Sequence, residues 1–303
     1  MGMTWDKAKT SLDLAVKRRF IMLLPLGIAL AIARTLAFFL APMSPIAWHL
    51  RLFGPMRIGF TRMLAIGYLR STARMEKYIL LYKSDQIKEI TRLISVKDED
   101  HLTRARATGR GIILVTIHSM YFRLLMRWVN EADESWQPYL IKAFPGKLGN
   151  RHAQAHYLHR IQLKIFGGRL LDTGIGTREA IRILKAGGTV ILTQDLPDRA
   201  AETIVFLNKK IPLPLGAARL AEMTNALIVP VAPSWRFGGK LWTLRFWPAI
   251  DPAAGETRRR LVEATEEMIR TYPATWELWR LFWQLKRKPG GELHADQGPI
   301  DIP

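Results

Sequence analysis

The 303-residue chain contains no cysteine. That excludes disulfides, zinc–thiolate centres, iron–sulfur clusters and a cysteine nucleophile. It is also poor in acid, with 26 Asp and Glu against 45 Lys and Arg, a formal net charge of +19. Such a field favours anionic partners: nucleic acid, acidic lipid head groups or a strongly acidic protein. Nucleic acid is the weaker of these, because the chain lacks an RNP-like aromatic motif, a zinc finger and a helix-turn-helix signature. Its basic residues are interleaved with apolar ones rather than gathered on one polar face. Walker A, GxGxxG, GxSxG and HExxH motifs are absent as well. No internal repeat or evident interdomain linker breaks the chain.

What the chain has is apolar material, 49% of its residues, enough for a substantial core. Much of it lies near the N-terminus. Lys17, Arg18 and Arg19 precede the uncharged run FIMLLPLGIALAIA (residues 20–33); Arg34 interrupts, and apolar character resumes to Leu50. A helix from Phe20 to Ala41 is long enough to cross a bilayer. Within it Arg34 costs about 2.5–3.5 kcal/mol, reduced by snorkelling toward the nearer end. No small-x-small site follows the first apolar run, so a cleaved signal peptide is not expected. Both flanks are basic, with Arg51, Arg57, Arg62, Arg70 and Arg74 on the far side and Glu76 the one nearby acid. A simple crossing leaves one flank on the wrong side by the positive-inside rule. An anchor that is monotopic or re-entrant keeps both flanks at one anionic leaflet. The alternative is a buried N-terminal hairpin of a soluble protein.

Further on, the pattern alternates. From Ile87 the sequence reads as helix, and HLTRARATGRG (101–111) as a helix ending at Gly109 or Gly111 with arginines suited to its C-terminal dipole. GIILVTIH is a buried strand, followed by a helix over about 119–130, then QPYLIKA as a strand, a helix over 150–166 and the short strand GRLLDT. GTREAIRILKAGG is an amphipathic helix with a Gly-Gly stop, and TVILTQD is a second buried strand. TIVFL is short and extended, GAARLAEMTNA is helical, LIVPVAPSW and LWTLRFWPAI pair as strands, and a helix over 256–272 leads into a Trp-rich tail. The expected fold is α/β, a mixed and mostly parallel sheet flanked by helices. Its expected division is an anchoring region over 1–74, an α/β domain over 75–288 and a loose tail over 289–303.

His118 ends one apolar strand and Asp195 ends another. Sites in open α/β sheets gather beyond the carboxyl ends of the strands, so the two residues are candidates for one catalytic pair. The alternatives are a structural histidine and a capping or salt-bridging aspartate. Four candidates for binding the substrate accompany them: Arg123 one helical turn beyond His118, Arg151, and Asp198 with Arg199 directly after the Asp195 strand. A guanidinium holds a phosphate or carboxylate bidentately, although in so basic a chain a lone arginine is also an ordinary solvated charge.

Four blocks taken in order, GRGIILVTIHSMYF, LKAGGTVILTQDLPDR, ETIVFLNKKIPLPLGAARLAEMTNALIVPVAP and ATWELWRLFWQLKRKP, resemble the lauroyl/myristoyl acyltransferases of lipid A biosynthesis. The resemblance covers residues 75–288. It implies a glycerolipid acyltransferase-like fold and an enzyme on the cytoplasmic face of the bacterial inner membrane. Such an enzyme moves a fatty acyl chain from a thioester, on acyl carrier protein or coenzyme A, to a hydroxyl or amine of an anionic amphiphile. No cofactor is implied. His118 matches the histidine that takes the acceptor's proton. Two positions depart from the pattern. Arg123 stands where the family carries an acid five residues after the histidine, and Thr193-Gln194-Asp195 keeps only the final acid of an Asp-Gln-Asp triplet. A cation cannot accept the imidazole N–H, and it disfavours an imidazolium. Three outcomes are open: Asp195 supports His118, His118 acts without an acid, or transfer is lost and the protein binds lipid or serves as a scaffold.

Overall fold

The computed structural model describes residues 23–44, 47, 59–82, 87–132, 138–142, 169–172, 176–197, 201–235, 240–279, 282, 285–287 and 293–295. The chain divides into two compact units, Met1–Ile90 and Thr91–Pro303.

In the first unit the apolar run forms α1 (Leu26–Leu40) and a single 3-10 turn (Ala41–Met43). Within the run expected to be helical, α1 starts directly after Pro25, because proline's ring and missing N–H suit a helix's entry and not its interior; residues 20–22 lie outside the described residues. It packs against α2 (Phe60–Tyr82). Ala29, Ala33, Ala37 and Ala41, spaced by four, form the buried stripe of α1, and Gly67 of α2 sits so close that a Cβ there would lie 2.2 Å from the Ala41 carbonyl oxygen. Leu26 and Leu30 are buried with the alanines, whereas Leu23, Ile28, Leu36, Phe38, Phe39 and Met43 are exposed. Arg34 is not an isolated charge in the apolar run. Its Nε donates to Glu76 Oε1 at 2.9 Å, and Glu76 is wholly buried. A pair of this kind removes much of the cost of carrying either charge away from water.

The second unit holds a seven-stranded sheet. Its strands are β1 (Ile94–Lys97), β2 (Ile112–Thr116), β3 (Tyr139–Lys142), β4 (Leu170–Asp172), β5 (Thr189–Thr193), β8 (Leu227–Trp235) and β9 (Trp242–Phe246), in the order β1-β9-β8-β2-β5-β3-β4. Neighbours are parallel except β8 and β9. The sheet is thus mixed and mostly parallel, as the pattern predicts. Helices α4 (Asp100–Ala107), α5 (Phe122–Ala132), α6 (Gly176–Lys185), α7 (Gly216–Thr224) and α8 (Thr257–Thr271) connect or flank the strands, and a short α3 (Ile87–Arg92) precedes β1. Every residue of β2 is buried, the near-continuous apolar character that a central parallel strand requires.

Three elements differ from expectation. Ile94–Lys97 is a strand, at the edge of the sheet, where the sequence reads as helix; Ser95 Oγ donates to the Trp242 carbonyl of β9 at 3.2 Å, a bond to a strand distant in sequence that no local propensity announces. Lys209–Pro212 forms β7, which pairs antiparallel with β6 (Thr203–Phe206) across Leu207 and Asn208, both at positive φ as a two-residue hairpin turn demands. Leu285–Arg287 pairs with Leu293–Ala295, which lies inside the stretch read as a loose tail.

Two glycines let β2 start where it does. A Cβ on Gly111 would fall 2.3 Å from the Leu184 carbonyl oxygen, so only glycine lets α6 and β2 approach here, and Gly187 takes φ +79 in the turn after α6. Between them in space Arg110 forms a fork. Its guanidinium donates to both oxygens of Asp251 at 2.9 Å and to the carbonyl and side chain of Asn225 at 2.7 and 2.8 Å. One side chain thus ties the amino edge of the sheet to the end of α7. The hydrogen bond from Arg110, then the Ala253 amide, hold the Asp251 carboxyl down to about 2. A depressed carboxylate stabilises the fold above its ordinary range and stops doing so as pH falls toward the depressed value. Asp251 is 40% exposed, so screening holds the effect to about 1 kcal/mol or less. We predict that Asp251→Asn lowers the thermal unfolding temperature at about pH 6 and that the gap from wild type closes as pH falls from about 4 toward 2; a gap independent of pH would contradict the assignment.

Candidate active site

The sheet brings the two predicted residues together through register. β2 and β5 run parallel with Thr116 opposite Thr193, so the residues two further along, His118 and Asp195, also stand side by side. The ladder continues one step past the strands, since the Gln194 N–H donates to the Thr116 carbonyl at 3.1 Å. Beyond it the chain tightens: the Ser119 N–H closes on the Ile117 carbonyl at 2.7 Å, a three-residue turn centred on His118.

Asp195 is the hub. Its side chain is wholly buried, and three N–H groups converge on its carboxylate. The His118 backbone N–H reaches Oδ2 at 2.8 Å, the His118 ring presents Nδ1 to Oδ1 at 2.7 Å, and the Trp276 indole Nε1–H reaches Oδ2 at 2.6 Å. A carboxylate only accepts, so the short contact assigns the ring proton to Nδ1 and leaves Nε2 as the basic nitrogen. The imidazole is 28% exposed and therefore reachable from outside. Thr193 Oγ1 stands 3.5 Å from Nε2.

Residues 118–121 are pinned from three directions. Glu277 N–H donates to the His118 carbonyl at 2.8 Å and Met120 N–H to the Thr275 carbonyl at 2.9 Å. Ser119 Oγ donates to the Pro233 carbonyl of β8 at 3.1 Å and accepts from Tyr121 N–H at 3.1 Å. On β5, Gln194 Nε2 bonds the Pro214 carbonyl, which brings the start of α7 to the same sheet edge. Behind the pair, Trp276, Trp279 and Phe282 pack edge-on and tilted, with ring centroids 4.6 to 6.3 Å apart, and Lys209 Nζ lies 4.6 Å over the Phe282 ring. Burial lowers the Lys209 pKa.

Of the other candidates, Arg123 is the second residue of α5 and half-buried. The carboxylate that holds the His118 ring is Asp195, just past the end of β5, and not a residue of α5, where the family pattern carries its acid. Arg151, Asp198 and Arg199 lie outside the described residues. Sequence reasoning missed Trp276 and Thr193 as members of the site. A signal for Trp276 existed: an indole N–H is donor-only and seeks an acceptor when buried, and Trp276 is only 1% exposed. Among the described residues no group of three or more His, Asp or Glu is placed to hold a metal ion.

Residues 70–286, well over half of the chain, match the family described as bacterial lipid A biosynthesis acyltransferase. A phosphatidylinositol mannoside acyltransferase of Mycolicibacterium smegmatis is 27% identical over 199 residues, covering 63% of this chain and 62% of that protein. One of the same name from Mycobacterium tuberculosis is 24% identical over 192 residues, covering 61% of this chain and 58% of that protein. The chain thus spans about three fifths of the length of these relatives.

The hub makes an energetic prediction that needs no assay. A hydrogen bond to a charged group contributes about 1.5–3 kcal/mol, and a buried group that loses its partner is penalised further. Trp276→Phe and Asp195→Asn, singly and together, should show a coupling energy in thermal or denaturant unfolding of that order. Additive effects would mean that the 2.6 Å contact carries no stability.

Proposed function

The chain belongs to the bacterial lipid A biosynthesis acyltransferase family, and from that premise we propose that it moves a fatty acyl chain from a thioester to a hydroxyl or amine of an anionic membrane amphiphile. The observation that carries this reading is the Asp195–His118 contact of 2.7 Å at the carboxyl edge of the sheet. The relatives are named for phosphatidylinositol mannoside and the family for lipid A; an acceptor of this kind, a membrane lipid offering a hydroxyl, suits a chain of net charge +19.

In the proposed reaction the acceptor hydroxyl approaches Nε2 of His118. As its oxygen bonds to the thioester carbonyl carbon, its proton passes to Nε2, a transfer typically contributing 10²–10⁴-fold. Asp195, on Nδ1, offsets the charge of the imidazolium so formed. The carbon–sulfur bond then breaks and the imidazolium returns the proton to the leaving thiolate, giving an ester and a free thiol. Neither a covalent enzyme intermediate nor a cofactor enters the balance. Acyl carrier protein, being strongly acidic, fits the basic chain as thioester carrier, with coenzyme A as the alternative. Arg123, Arg151 and Arg199 are proposed to contact the anionic groups of acceptor or carrier, and Asp198 to contact the substrate beside Arg199.

Arg123 in place of an acid favours a second reading, a lipid-binding protein that no longer transfers. The carboxylate of Asp195 counts against it, because it supplies the support that position 123 lacks. The test uses full-length protein in detergent with a panel of acyl thioesters and a total lipid extract. His118→Ala should lower the transfer rate at least about 10²-fold, and Asp195→Asn should lower kcat with little change in KM for the thioester. Wild-type protein that consumes no thioester would move the second reading to the front.

Membrane attachment at the cytoplasmic face of the inner membrane is the companion proposal. It is supported by one apolar segment, Leu26–Met43, long enough to cross a membrane, and by the outward-facing Phe38, Phe39 and Met43. The small-residue stripe and the Arg34–Glu76 pair sit on the inside, the arrangement that hydrocarbon surroundings select. Full-length protein should sediment with membranes through high-salt washing and be released by detergent; protein that stays in a high-speed supernatant at physiological salt would contradict the anchor.

A further inference from the structure

We infer that Thr193 is a positioning residue whose hydroxyl holds the attacking acceptor hydroxyl against Nε2 of His118. The inference rests on the acyl-transfer reading and extends it to a residue that departs from the family pattern. Thr193 ends β5 two residues before Asp195, so the alternation of a strand places both side chains on the same face. Asp195 goes to Nδ1 at 2.7 Å, and Thr193 Oγ1 lies 3.5 Å from Nε2. The two residues therefore address opposite nitrogens of one ring. Asp195 is wholly buried, whereas Thr193 is half-buried, beside an imidazole that is 28% exposed. Of the two, only the hydroxyl lies where a ligand can reach it.

The distance itself is informative. At 3.5 Å the Oγ1–Nε2 contact is longer than the roughly 2.7–3.2 Å of a good hydrogen bond. An oxygen seated about 2.8 Å from both atoms can donate its proton to Nε2 and accept from Thr193 at once. That is the arrangement base catalysis asks of the nucleophile: the O–H aimed at the base, the oxygen held, and a second lone pair left for the thioester carbonyl. A carboxylate at the same place, which the family's Asp-Gln-Asp pattern carries, accepts but does not donate when ionised, and it adds a second negative charge beside the ring. Threonine keeps the position polar and neutral. With Nε2 unprotonated, the Thr193 O–H is the group that can donate weakly to its lone pair and so favour the neutral imidazole; a bound acceptor oxygen sits against both atoms, to one side of the line that joins them. The group-transfer balance is unchanged, because Thr193 gives up no proton and forms no bond to carbon.

The experiment compares wild type, Thr193→Val and Thr193→Ser as full-length protein in detergent. Valine keeps the shape and removes the hydroxyl; serine returns it. Steady-state transfer is measured with the acceptor concentration varied at saturating acyl thioester, and the His118 imidazole is titrated by NMR in the same preparations. Thr193→Val should lower kcat/KM for the acceptor about tenfold, the worth of one neutral hydrogen bond, and Thr193→Ser should restore most of it. Thr193→Val should also raise the His118 titration midpoint by about half a pH unit, because a donor to the neutral ring has been removed. Unchanged acceptor kinetics in the valine variant, or a loss that serine does not restore, overturns the inference. An unmoved or lowered titration midpoint also overturns it. Wild-type protein that consumes no thioester overturns the acyl-transfer reading instead, and the titration still decides whether Thr193 acts on the Nε2 side of the ring.

Discussion

A buried carboxylate is the constraint on which the rest of the second unit turns. Removing Asp195 from water is costly unless its oxygens find donors, and three N–H groups meet them. Each donor comes with a structural commitment. The His118 amide fixes where β2 ends relative to β5. The His118 ring fixes its own tautomer. The Trp276 indole fixes the path of the segment after α8, which in turn donates from Glu277 to the His118 carbonyl and accepts from Met120. The ring, 28% exposed, is therefore held from behind by the Asp195 carboxylate and by the backbone bonds on either side of it. This is the pre-organisation that a base needs if it is to meet its substrate without reorganising.

The same rule governs the first unit with a different outcome. Arg34 lies in an apolar run and would be costly alone, yet Glu76, the one acid near its basic flank, meets it from α2 at 2.9 Å. In each unit a charge is kept inside by one opposite or donor-rich partner, and the surrounding packing is built from what remains: small residues between α1 and α2, β-branched and aliphatic residues in the sheet, tryptophans behind the dyad. In the sheet the interior is apolar and the charge marks a site. On α1 an alanine stripe with Leu26 and Leu30 is buried, while Ile28, Leu36, Phe38 and Phe39 point outward.

Much of this was legible in the chain. The long apolar strands β2, β5 and β8 were readable because a strand buried on both faces needs an unbroken run, and their ends located His118 and Asp195. Their adjacency was readable only as a condition, since register is decided by pairing and not by either strand alone. The elements that escaped were those whose identity comes from a partner. β1 is four residues long and takes its strand character from β9; β7 carries two lysines and a proline and is a strand because β6 folds back on it. The acid at position 123 was missing from its expected place, and Asp195 as the replacement, 77 positions from His118, stood as one of three open outcomes that only the pairing of β2 with β5 decides. Trp276 and Thr193 enter the site only once tertiary structure brings the tail and the strand end to the same ring.

The central claim is that Asp195 holds His118 with its proton on Nδ1, so that Nε2 is the base. The most direct measurement is the side-chain nitrogen NMR spectrum of His118 in the full-length protein above the ring's titration range. Selective labelling and His118→Gln identify the resonance. The account predicts one dominant neutral tautomer, protonated at Nδ1 and unprotonated at Nε2, and a shift toward mixed or reversed tautomers in Asp195→Asn. A wild-type ring protonated at Nε2, or a tautomer indifferent to Asp195→Asn, would contradict it.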